Sequence, residues 1–170
     1  MYPNGTAYQA SVQFEDASQY EFTDIGVMGE NIPINVADVK LAGSSCSNCS
    51  FDWSGSSKIT FLRGNYTISY VRQLRDSHIQ AIFDRPYHVN VTLPQEFDVR
   101  NPLLAGLSFG ANVTRFSDNT TIIQWEKVTS IDLRFYDQGR EQLLYLFGNF
   151  WIVIAIVLLL PYLMTMRKKE

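Results

Sequence analysis

YHVNVTL, residues Tyr87–Leu93, alternates without a break: Tyr87, Val89, Val91 and Leu93 are apolar, while His88 and Thr92 are polar with Asn90 between them. Successive side chains of a strand point to opposite faces, so a period of two marks a half-buried β-strand. Outward from this stretch the pattern recurs. AYQASVQF (Ala7–Phe14) sets Tyr8, Ala10, Val12 and Phe14 against Gln9, Ser11 and Gln13. SIDLRFY (Ser130–Tyr136) sets Ile131, Leu133 and Phe135 against Asp132, Arg134 and Tyr136. Further candidate strands lie at 35–41, 58–62, 65–72, 78–83, 112–116 and 120–125. Asp84-Arg85-Pro86, Arg63-Gly64 and Ser117-Asp118-Asn119 read as hairpin turns, because they hold the residue types that preset or tolerate turn dihedrals. About nine short strands separated by turns predict a mainly β fold over residues 1–137, an antiparallel β-sandwich of the immunoglobulin-like or transthyretin-like kind.

Beyond the last strand the chain changes in kind. LLYLFGNFWIVIAIVLLLPYLMTM, Leu143–Met166, runs 24 residues without a charge and without a polar stripe. About 20 apolar residues in a helix cross a ~30 Å hydrocarbon core, so residues 143–166 are expected to span a membrane, with the lipid bilayer as first partner. Arg167, Lys168 and Lys169 come directly after it, against only Arg140 and Glu141 on the other flank. The positive-inside rule then makes 167–170 a cytoplasmic tail and places the β-domain outside. Residues 138–142 form a short juxtamembrane linker that seats the domain on the bilayer. The span offers no close pair of small residues beyond Gly148 and Ala155 on which to dimerise.

The asparagines support an outside location. Six of the ten open an N-x-S/T triplet: Asn4, Asn48, Asn65, Asn90, Asn112 and Asn119. Chance at this Ser and Thr content gives about 1.4 such triplets, and the motif matters only where glycans are attached, outside the cytoplasm. Asn65 and Asn90 fall on the polar side of their strands, where a glycan does no harm. The opening MYPNGTAYQASVQFED has no basic stretch followed by an apolar region, which leads us to expect a mature or truncated form or a wrongly assigned start. Without the last four residues the chain carries eleven basic and sixteen acidic side chains, a balance that repels phosphates and excludes nucleic acid as a partner.

RPYHVNVTLPQEFDVRNPLLAGLSFG (Arg85–Gly110) and IIQWEKVTSIDLRFYDQGREQLLYLFGNFW (Ile122–Trp151) together resemble an uncharacterised family of archaeal membrane proteins, a domain of unknown function. The resemblance covers roughly residues 64–166. It implies an extracytoplasmic β-domain with one C-terminal span at an archaeal cell surface, and it transfers no activity.

The remaining chemistry is sparse. Cys46 and Cys49, the two cysteines, form a C-x-x-C inside SSCSNCSFDW (Ser44–Trp53). Three readings compete. A structural zinc site needs four ligands, and His78 and His88 are the only imidazoles to complete it. A redox pair wants a helix N-terminus, whereas Gly43-Ser44-Ser45 and Ser50-Phe51-Asp52 suggest a loop. A short-loop disulfide in an oxidising compartment fits best, and it makes Asn48 the sequon least suited to carry a glycan. Asp16, Glu21, Asp24 and Glu30 lack the spacing of a calcium loop and read as a solvated acidic face. Trp53, Trp125 and Tyr136 are expected in the core or at an interface rather than on a sugar-binding platform. No catalytic, cofactor or metal motif is present, so no cofactor is expected. The leading expectation is a non-catalytic envelope module that binds another envelope protein or a glycan. The alternatives are a thiol-redox or metal-handling protein built on Cys46 and Cys49, and an accessory subunit of a membrane complex.

Overall fold

The structure, a computed structural model, describes residues 1–26, 28–44 and 46–167, with side chains through residue 160. In chain order the elements are β1 (Ala7–Glu21), β2 (Thr23–Ile25), β3 (Asn31–Pro33), β4 (Ala37–Gly43), β5 (Asp52–Trp53), β6 (Lys58–Gln73), β7 (His78–Leu93), β8 (Phe97–Asp98), β9 (Gly106–Leu107), β10 (Asn112–Arg115), β11 (Thr121–Arg134), β12 (Tyr136–Asp137) and α1 (Gln138–Arg167). Every strand pairing is antiparallel. A mainly β chain ending in one apolar helix is therefore what the alternation and the uncharged run lead one to expect.

Six of the expected strands merge into three long ones: 58–62 with 65–72 in β6, 78–83 with 87–93 in β7, and 120–125 with most of 130–136 in β11. Long β1 and β6 pair into one ribbon, extended by β4 and β5 on β6; long β7 and β11 pair into a second, extended by β10 and β9 on β11. Arg63-Gly64 and Asp84-Arg85-Pro86 are not hairpin turns, since β6 and β7 run straight through them. They sit where each ribbon loses register. The β1–β6 ladder slips between Phe14 and Gln19, with Asp16 at φ 52°, and the β7–β11 ladder slips between Trp125 and Ser130, with Lys127 at φ 53°. Bulges of this kind add twist and bend the strand. A corner and a turn draw on the same residue types, which is why the sequence misleads here. The turn at Ser117-Asp118-Asn119 is real: it joins β10 to β11, with Thr120 N–H donating to Asp118 Oδ1 at 3.0 Å.

Both ribbons fold back on themselves at these corners. Phe14 and Tyr20 would stand ~20 Å apart on a straight strand, yet their rings stack at 5.5 Å. In the second ribbon the Trp125 indole N–H donates to Ser108 O at 3.4 Å, while the Asp132 N–H, seven residues further along β11, donates to Ser108 Oγ at 3.2 Å. Each folded ribbon encloses a core of its own. Phe14, Phe22, Leu41, Ile59 and Ile68 fill the first, and Ile79, Leu93, Ile123, Trp125, Ile131, Leu133 and Phe135 lead the second.

Face assignments hold for Tyr8–Phe14 and Tyr87–Leu93, whose apolar members turn inward. They fail at Tyr136. The strand ends at Arg134 and resumes as β12 against β8, so Tyr136 leaves the polar face and is buried. Residues 138–142 are helical and rise about 8 Å, where an extended linker would reach ~17 Å.

Candidate functional site

The helix root is the best-built polar feature. Asp137 ends β12 and caps α1, its Oδ1 accepting the Arg140 N–H at 2.9 Å. An acidic side chain at this position satisfies an orphan amide and complements the helix dipole. One strand away, Asp98 is buried and gathers donors. Its Oδ1 accepts the Val99 N–H at 2.7 Å and the Arg100 N–H at 3.0 Å, and its Oδ2 accepts Arg100 Nη2 at 2.5 Å, with Arg115 Nη1 at 3.8 Å. Burial alone would raise the Asp98 carboxyl, but the Arg100 guanidinium and the two amides outweigh it and hold it below its ordinary value. Tyr136 Oη accepts the Asn101 N–H at 3.2 Å and ties the same turn to β12. These residues fasten the helix to the sheet rather than offering a reactive group. Sequence reasoning singles out Tyr136 as a core or interface residue but passes over Asp98 and Asp137, although Asp98-Val99-Arg100 stands in plain view.

The helix that leaves this root contains an 18-residue window of mean hydropathy 2.6, and no part of that window is buried against the domain. It is long and apolar enough to cross a membrane. The backbone of Arg167 closes the described chain, and Lys168 and Lys169 lie outside the described residues.

Residues 2–170 match a family described as a family of unknown function, DUF5803. The chain belongs to that family. No curated protein and no solved structure matches it. The DUF5803 match runs through both the β-domain and α1, so the two are parts of one family unit.

Within this DUF5803 chain the other candidates lie far apart. Cys46 and Cys49 lie at disulfide distance, with Cα atoms 5.4 Å apart, in the loop after β4. His78 and His88 stand ten residues apart on the single strand β7, and His78 Nε2 lies 2.9 Å from Asp132 Oδ1. Among the described residues no group of three or more His, Cys, Asp or Glu is placed to hold a metal ion. The acidic stretch is dispersed: Asp16 pairs with Arg63, Asp24 with Arg72, and Glu30 Oε2 accepts the Met28 N–H. Trp125 and Tyr136 are core residues, while Trp53 is about half exposed and packs edge-on against Phe51. The six sequon asparagines, Asn4, Asn48, Asn65, Asn90, Asn112 and Asn119, are all exposed.

Between the ribbons lies a cleft of about 1050 Å³. Tyr8 and Tyr70 stand along it, Tyr8 with the Arg72 guanidinium 5.9 Å above its ring. Burial pushes the Tyr8 hydroxyl up to about 12, with Arg72 pulling it partly back, and raises Tyr70 as well.

Proposed function

We propose that this chain is a single-pass, membrane-anchored cell-surface protein whose β-domain, outside the cell, serves as a non-catalytic interaction module of the envelope. The observation that carries the reading is α1, a helix whose apolar window no part of the domain buries and which leaves the sheet through a capped, ion-paired root. In water such a helix exposes Leu143, Phe147, Trp151 and Leu158 at large cost, whereas in a bilayer their exposure is favourable. The basic run Arg167-Lys168-Lys169 supports a cytoplasmic C-terminus, and the exposure of all six sequons is compatible with glycans on the domain. An archaeal cell surface, the setting that the sequence resemblance implies, is the context proposed for it.

The thiol-redox alternative finds little support. Cys46 lies in a strand-end loop, and the one helix among the described residues begins at Gln138, so no helix N-terminus stands by to stabilise a thiolate. The test is protease shaving of intact cells. The expected result is loss of the β-domain with a fragment spanning residues 143–170 retained in the membrane. A chain left whole until lysis would refute the outside location.

A further inference from the structure

The cleft is bordered by two runs of eight consecutive residues, Tyr8–Glu15 of β1 and Arg85–Thr92 of β7. A cavity beside the face of a sheet touches every second residue, since side chains alternate. Here each run contributes every residue, inward and outward alike, so strand edges border the cleft, and not sheet faces. The topology agrees. β1 is the outer strand of the first sheet and β7 the outer strand of the second. Among the described residues, the one backbone bond made on either run from outside its ribbon is the Met1 ammonium to Thr92 O at 3.4 Å.

An unpaired edge presents alternate N–H and C=O groups in a row and is a template for another strand. Folded domains guard such edges with lysines, prolines or short strands. These two runs contain no lysine, and the single proline, Pro86, stands near one end of the β7 run. We propose that the cleft is a slot for an extended polypeptide segment, contributed by another protein, that pairs with β1, β7 or both by β-augmentation. A segment of about eight residues spans ~26 Å in extended form and matches both runs in length. Its composition is set by the walls. Half-buried Ala10, Val12, Val89 and Val91 ask for apolar side chains on one side of the segment. Exposed Gln13 and His88 allow polar ones on the other. The ligand is therefore an apolar/polar alternating segment, not a folded surface. The proposal names the mode of contact of the interaction module above and rests on that reading only for where the segment comes from.

The test is hydrogen–deuterium exchange of the full chain in nanodiscs, which needs no particular cell topology. The probe is a synthetic peptide of about ten residues, Val and Thr alternating with a Lys at each end. In the free chain the amides of Tyr8–Glu15 and Arg85–Thr92 that face the cleft should exchange fast. Saturating probe should slow them at least tenfold, and a probe with Pro at alternate positions should not. Ala10→Lys, a charge placed at the slot, should abolish the protection, and its unchanged exchange in the core of β6 would show that it folds. Three results would overturn the proposal. One is absence of protection by the alternating peptide. Another is protection already present in the free chain and lost on dilution, which would make the occupant a second copy. The third is protection by oleate in place of the peptide, which would make the slot a lipid site.

Discussion

The rings of Phe14 and Tyr20 stack at 5.5 Å although six residues of one continuous strand separate them. Only a folded strand can bring them together, and the fold is made at Asp16. Its backbone takes φ 52°, its N–H donates to Asn65 Oδ1 at 2.9 Å, and its carboxylate receives Arg63 Nε at 2.7 Å. Asn65 thus has a structural duty besides being a sequon. Asn65→Ala and Thr67→Ala both destroy the sequon, but only the first removes the corner bond. We expect Asn65→Ala to be less stable than Thr67→Ala by about 1 kcal/mol. Urea unfolding of the two variants measures the difference, and equal midpoints would show that the corner bond contributes nothing.

The helix root makes a second prediction. Asp98→Ala leaves the buried Val99 amide and the partly buried Arg100 amide without their acceptor, and should cost about 2 kcal/mol. Arg140→Ala, on an exposed side chain of the helix, should change stability by under about 0.5 kcal/mol. Denaturant midpoints in detergent compare the two. A loss for Asp98→Ala no larger than for Arg140→Ala would remove the root from the account.

The same corners decide how much of the fold is legible in the sequence. The alternation at Tyr8–Phe14 and Tyr87–Leu93 reports which side of a strand is buried, and it holds on both sides of a bend. Arg63-Gly64 and Asp84-Arg85-Pro86 mislead because turn chemistry shows that the chain changes direction locally, without distinguishing a reversal from a corner. Which it is depends on the partner strand, tens of residues away in sequence. Tyr136 misleads for a related reason: the strand breaks at Phe135, and a restart shifts the face of every residue after it. The exposure of the sequons Asn65 and Asn90 is readable from polarity, and the uncharged run from Leu143 needs only counting. Asp98 is invisible to such reading, since its burial is set by β12 and by Arg115, which no local pattern announces.

Acid and alkali should weaken the domain through different groups. The carboxyls of Asp98 and Asp24 are both held below their ordinary value: burial opposes this, while hydrogen bonds to Arg100 and Arg72 respectively prevail. A depressed carboxyl adds stability above its unfolded pKa of about 4, and that stability is lost as pH falls through the folded value. At the other end Tyr8 is raised to about 12, so between about 10 and 12 the unfolded chain releases a proton that the folded chain keeps. Stability should therefore fall across that window. Phenolate absorbance against pH should show late-titrating tyrosines that revert to ordinary values on unfolding, and Tyr8→Phe should remove part of the delay.

A Cys46–Cys49 link closes a very short loop, so its chain-entropy contribution is at most about 2 kcal/mol. The core of Phe14, Phe22, Leu41, Ile59 and Ile68 is built from other elements, and Cys49 packs against its edge. A double Cys46→Ala, Cys49→Ala variant should stay folded, with a thermal midpoint lowered by a few degrees, as read by circular dichroism. Complete unfolding would mean that the clip holds the first ribbon together.

The central claim is that the β-domain, with its disulfide, faces outward from a membrane that α1 crosses. It is tested most directly by treating intact cells with a membrane-impermeant maleimide, with and without prior reduction, and reading Cys46 and Cys49 by mass. The account predicts labelling of intact cells only after reduction. Labelling that appears only once the cells are lysed would place the domain in the cytoplasm and contradict it.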